Sequence, residues 1–200
     1  MTSTRKNRLW LLTLLALPSF ACATTAHYDY HSEPDPRKME FVIGATDLIR
    51  VTVWKSPELS TEATVRPDGT ITMPLIGDLV AAGRTPTQLK ETIAERSAQF
   101  IKGEAAPVTV AVVAVNSYRF TVTGNFEHPG VFASKYFVTV NEAIALAGGV
   151  NKFGDRRNLV LVRTYAGKTH RIPINYDRIA SADHPEENLA LMSGDTLYAP

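Results

Sequence analysis

Beyond residue 40 the apolar positions fall in short runs, most of them alternating with polar ones and separated by turn-forming residues. A period of two over "LIRVTVW" (48–54) predicts a half-buried strand. "VTVAVVAV" (108–115) is apolar on both faces, which predicts a central strand covered on both sides, the other reading being a face that meets another subunit. In "VRPDGTITMPLIG" (65–77), Asp68-Gly69 predicts a hairpin turn and Ile71 and Met73 share one face. Pro74 then lacks the N–H that a central ladder requires, so a bend or an edge is expected there.

A helical period replaces the strand period only twice. Thr85 is placed to cap a helix, with Pro86 at its first position, Gln88 completing a capping box, and Leu89, Ile93 and Phe100 at near-helical spacing. A second box, Thr139 to Glu142, opens "VNEAIALA", which stops at Gly148-Gly149, where positive φ is free of steric cost. Strands are expected around "YRFTVTGNFEHPGVF" (118–132), in a hairpin turning at Ala166-Gly167, and in "MSGDTLYAP". Strands, helix and strands occur in each half, so the expected class is α+β with two small units that divide near residue 116. No repeat period marks a solenoid or propeller.

The N-terminus is of another kind. Arg5, Lys6 and Arg8 precede an apolar run from Leu9 to Ala21, too short for the ~20 residues of a bilayer span, so residues 1–21 are expected to be a secretory signal. "SFAC" (19–22) resembles a lipoprotein signal that makes Cys22 the lipidated first residue, whereas "ACA" (21–23) fits ordinary signal cleavage. Ser19 and Phe20 depart from the usual lead-in, but the single Cys of the chain falls at the end of the apolar run, which favours lipid attachment at Cys22. Residues 22–40, polar with Pro34 and Pro36, read as a flexible tether. Without residues 1–21 the chain keeps 18 Lys+Arg against 20 Asp+Glu, formally −2, and carries no basic field for nucleic acid.

Catalytic and cofactor signals are weak. "AGKT" (166–169) ends like a phosphate loop, but Val162 stands where a Gly is required, leaving a hairpin turn with an exposed Lys168. His27 and His31 lie in the tether without a third ligand, so no metal is expected. Ser193 sits in a turn and in no nucleophile elbow. Asp47 and Asp195 each precede an apolar run and read as turn or capping carboxylates. A glycan-binding module would draw on Trp54, Tyr118, Phe120, Phe126, Phe132, Tyr136 and Phe137, which in a small β-rich domain more often fill the core.

Taken together, "GATDLIRVTVW" (44–54), "RPDGTITMPLIG" (66–77) and "GRT" (83–85) resemble the export domain of the outer-membrane polysaccharide export protein family. "VTGNFEHPGVF", "TVNEAIALAGGV" and "MSGDTLYAP" resemble the soluble-ligand-binding β-grasp domain that follows it there. The resemblance implies an export domain over 41–116 and a β-grasp-like domain over 117–200. It further implies no catalysis and no cofactor, but a homo-oligomeric periplasmic ring, lipid-anchored to the outer membrane, that passes capsular or secreted polysaccharide. The partners implied are an inner-membrane polysaccharide co-polymerase and, since the sequence given stops at Pro200 without an amphipathic helix, an outer-membrane β-barrel. The alternative is a monomeric glycan-binding or scaffold lipoprotein of the envelope.

Overall fold

A computed structural model describes residues 28–100 and 107–200. The architecture is α+β with two hydrophobic cores. In the first unit β1 (Leu48–Val53) is the middle strand, paired antiparallel with β2 (Thr61–Thr64) on one side and β5 (Val108–Ala114) on the other. Its alternation sends Ile49, Val51 and Val53 inward, where they meet Ile71, Met73 and Leu79 from a separate hairpin, β3 (Thr70–Met73) and β4 (Gly77–Val80). Helix α1 (Pro86–Ser97) closes this core with Leu89 and Ile93, one turn apart on the same face. Its start is as expected: the Thr85 hydroxyl accepts from the Gln88 N–H, and the Gln88 side chain accepts from the Thr85 N–H. Phe100 lies beyond the last turn and is exposed, so it forms no part of the buried stripe.

Two strand expectations are corrected. The chain turns at Asp68-Gly69, with the Gly69 N–H on the Arg66 carbonyl, but β3 pairs with β4, while β2 pairs with β1. The ladder hairpin therefore turns at Pro74, Leu75 and Ile76, where the Ile76 N–H reaches the Pro74 carbonyl at 2.7 Å. Pro74 thus ends β3, and its missing N–H costs the ladder nothing. The second correction concerns β5, which is an edge strand of the three-stranded sheet: Val108, Val110 and Val112 pack on the core, while Val113 is 43% exposed. Its β-branched run gives strand propensity on both faces, but only one face is covered.

The second unit is a five-stranded mixed sheet. It comprises β6 (Arg119–Gly124), β7 (Gly130–Ala133), β8 (Leu159–Tyr165), β9 (Lys168–Ile174) and β10 (Thr196–Ala199), in the order β7-β6-β10-β8-β9. Strands β6 and β10 run parallel and every other pair is antiparallel, with α2 (Val140–Leu146) between the two hairpins in sequence. The capping box Thr139–Glu142 is formed, and Gly148 and Gly149 follow α2 at φ 77° and 95°. At Gly124 a Cβ would stand 2.1 Å from the Ala199 carbonyl oxygen, so the close β6–β10 pairing admits only glycine. The β8–β9 hairpin turns at Ala166-Gly167, both with positive φ, and Lys168 is exposed. Tyr118, Phe120 and Phe126 are buried in this core, as expected of aromatics in a small β-rich unit, whereas Trp54 and Tyr136 stand more than 60% exposed.

The tether expectation fails for residues 28–40. Two short 3-10 turns, Tyr30–Ser32 and Pro36–Lys38, are capped by Asp29 and Asp35, and Tyr30 and Pro36 are buried. The Tyr30 hydroxyl donates to the Pro173 carbonyl of β9 at 2.8 Å, fixing the segment to the second unit before it crosses to the first. Two tyrosines and two prolines supplied enough apolar area to dock a stretch that is otherwise polar. Residues 1–27, with the signal segment, Cys22 and His27, lie outside the described residues.

Candidate functional site

The export-motif residues converge on the solvent face of the β3–β4 hairpin. Alternation turns Ile71 and Met73 inward and leaves Thr70, Thr72, Asp78 and Val80 outward. Arg66, arriving from the Asp68-Gly69 turn, lays its guanidinium across this face. It pairs with Asp78 at 3.0 Å and Asp68 at 3.2 Å, and donates to the hydroxyls of Thr70 and Thr72. The hydrogen bonds from Thr72 and then Arg66 hold the Asp78 carboxyl below its ordinary range, and those from the Thr70 hydroxyl and N–H do the same for Asp68. The face is thus charged, open to solvent and cross-linked by hydrogen bonds without being buried. At its tip Leu75 is 63% exposed at φ 63°, a conformation that costs a bulky residue energy.

The two units meet at Asp47, a residue expected only to shape a turn. Its side chain is fully buried, and its oxygens accept the N–H groups of Gly44, Asn116 and Ser117 at 2.7–2.8 Å and the Ser117 hydroxyl at 2.7 Å. One carboxylate therefore satisfies donors from both chain crossings between the units. Beside it lies a largely apolar cleft of about 620 Å³, walled by Pro36 and Met39 of the N-terminal segment, Phe41 and Val42 of the first unit, and Phe137 and Met192 of the second.

Asp195, the other turn carboxylate, is 2% exposed and belongs to a buried ion cluster. Its oxygens take three hydrogen bonds from Arg163 between 2.7 and 3.2 Å and the N–H of Met192 at 2.8 Å. Burial pushes the Asp195 carboxyl upward, against the pull of Arg163. Sequence reasoning missed Arg163, although the signal was present: Leu159, Leu161 and Arg163 occupy successive inward positions of β8, so the arginine had to be buried and matched. Ser193 donates to the Ser117 carbonyl, and His31 lies in the first 3-10 turn. Among the described residues no His, Cys, Asp or Glu cluster has the arrangement of a metal site, and no helix is long and apolar enough to cross a membrane.

The family described as "Polysaccharide biosynthesis/export protein" matches residues 35–113, and the SLBB domain matches residues 119–173. The exopolysaccharide production protein ExoF of Rhizobium meliloti is 29% identical over 127 residues, covering 58% of this chain and 30% of that protein. The EPS I polysaccharide export outer membrane protein EpsA is 29% identical in Ralstonia solanacearum and 30% in Ralstonia nicotianae, each over 146 residues, covering 60% of this chain and 38% of the relative. The chain spans about a third of the length of these curated relatives. The two matched domains take up about two thirds of the chain in the order that the motifs predicted, and the chain belongs to the polysaccharide export family, with an export domain followed by an SLBB domain.

Proposed function

We propose that this protein is a ring-forming component of the outer-membrane export machinery for capsular or secreted polysaccharide. It works at the periplasmic face, held by a lipid on Cys22 once residues 1–21 are removed. Residues 41–116 form the export domain in this reading and residues 117–200 the SLBB domain. The observation that carries it is the Arg66 face: a motif-encoded hairpin that spends its ordered polar groups on solvent rather than on a core. Such a surface offers hydroxyls, carboxylates and a guanidinium to a hydrated sugar chain, with individually weak contacts that let a polymer slide. Transport by subunit geometry needs no nucleophile, and the buried carboxylates Asp47 and Asp195 are occupied in holding the fold. The half-covered edge strand β5 and the exposed Leu75 and Trp54 supply apolar surface for neighbouring copies.

A ring in the periplasm calls for an inner-membrane co-polymerase that feeds it and an outer-membrane β-barrel that receives its cargo. Imaging of detergent-extracted native protein, combined with deletion of its gene, tests the reading. Closed rings and loss of surface glycan with normal intracellular precursor are expected; a monomer with undiminished surface glycan overturns it. Mass spectrometry of the mature N-terminus tests the anchor, since an unmodified Thr24 start removes it.

A further inference from the structure

Residues 28–39 run along the second unit, wall the cleft and continue into the first unit, where Glu40 accepts the Thr87 N–H at 3.0 Å. Their charged anchor is Glu33, whose side chain is 4% exposed and stands 3.5 Å from Arg163 Nη1. The Pro34 carbonyl accepts from the same nitrogen at 3.3 Å, and the Tyr28 hydroxyl donates to Glu33. Arg163 is therefore shared between two carboxylates on unequal terms. Asp195 holds it through short bonds from within its own unit, while Glu33 reaches it from outside through a longer one.

That inequality has a mechanical consequence. If the N-terminal segment lifts, Arg163 keeps Asp195 and the Ala190 carbonyl at 2.7 Å, so no unpaired charge is stranded in the core. Glu33 returns to water, and the ties that must also break include the Pro34 carbonyl on Arg163, the Tyr30 hydroxyl on Pro173 and the burial of Tyr30 and Pro36. The charges facing the segment elsewhere include His170, 3.7 Å from Glu33, the Arg178–Glu187 pair at 3.2 Å and Glu186 beside Tyr30, and Glu142 towards Arg37. None of these spans the two units. The segment can thus open locally at a free energy below that of either core.

We propose that residues 28–39 are a releasable latch, keyed by Glu33 against Arg163, whose opening exposes the apolar cleft between the units and frees the N-terminal end of the chain while both units stay folded. The inference stands independently of the ring. Because the latch follows directly on the segment that bears Cys22, a pull on the N-terminus reaches Tyr30 and then Glu33 before any strand of either unit.

Hydrogen exchange, trypsin nicking and oxidative labelling of the full mature chain test it, comparing wild type with Glu33→Gln and with Tyr30→Phe. In both variants exchange across residues 28–36 and cleavage at Arg37 and Lys38 should rise about tenfold, the change expected for one net hydrogen bond. Labelling of Met192 in the cleft should rise with them, while exchange in β1, β8, β10 and α1 stays within about twofold. Unchanged exchange in residues 28–36 overturns the latch, as does a rise shared by every segment, which would make the latch part of one cooperative fold. A freed segment with unchanged Met192 labelling overturns the opening of the cleft.

Discussion

Arg66 and Arg163 each gather two carboxylates, yet the two sites do opposite work. Arg66 lies 42% exposed on the hairpin of the export domain, with Asp68 and Asp78 more than half exposed, so water screens every pair. Arg163 lies 1% exposed in the SLBB domain between Asp195 and Glu33, where removing the arginine strands buried carboxylates in low dielectric. Burial, not the number of partners, decides which cluster holds the fold. The exposed one stays available for contact with something else.

Substitutions sharpen that contrast. Arg163→Ala leaves Asp195 and Glu33 buried without a counter-ion and should destabilise the protein by about 3–5 kcal/mol in chemical denaturation. A loss below about 1 kcal/mol would show that water reaches the cluster and would erase the distinction. Asp47→Ala strands three N–H groups and the Ser117 hydroxyl at the junction, and should cost about 3 kcal/mol. Its crossed position predicts that exchange rises at residues 44 and 116–117 together; a rise confined to one unit would refute a shared clasp.

A smaller effect comes from Tyr30, whose phenol burial pushes up to about 12. A raised value means that the docked segment retains the proton, so this contribution to docking is complete below the ordinary tyrosine value near 10 and is lost as the pH climbs from about 10 through 12. Ultraviolet titration of wild type against Tyr30→Phe should show one phenol ionising in that late window; its ionisation near 10 would mean that Tyr30 is solvated. The least change in stability belongs to Arg66→Ala, for which no measurable shift of the unfolding midpoint is expected while polysaccharide export falls. Intact export would disconnect the hairpin face from transport, and lost stability would place Arg66 among the structural arginines.

Local signals carried the reading of the sequence furthest. Both capping boxes, the Ala166-Gly167 turn and the inward Ile71 and Met73 depend on residues within a few positions of one another, and all four stand as expected. The export and SLBB motifs placed both domains because their turn residues are local as well. Pairing across distance was not legible. The bend expected at Pro74 is present, but nothing near it says that β3 turns there to pair with β4, and a β-branched run does not reveal whether its second face is covered. Residues 28–40 read as linker because the groups that bury Tyr30 and Glu33 lie more than 120 positions away. Of the candidate site, the turn at Asp68-Gly69 and the inward side of β3 were anticipated but not its pairing with β4, and Arg163 was hidden by reading β8 for its apolar residues alone.

The place of β10 bears on biogenesis. Residues 196–199 insert between β6 and β8, so until they are delivered the SLBB sheet exists only as two unjoined hairpins with bare inner edges. During vectorial emergence the export domain can mature as soon as β5 arrives, while its neighbour waits for residues synthesised some 80 positions later. For that interval the half-made protein presents two open strand edges, and a chaperone that shields them would be needed most while the remainder of the chain is still being made.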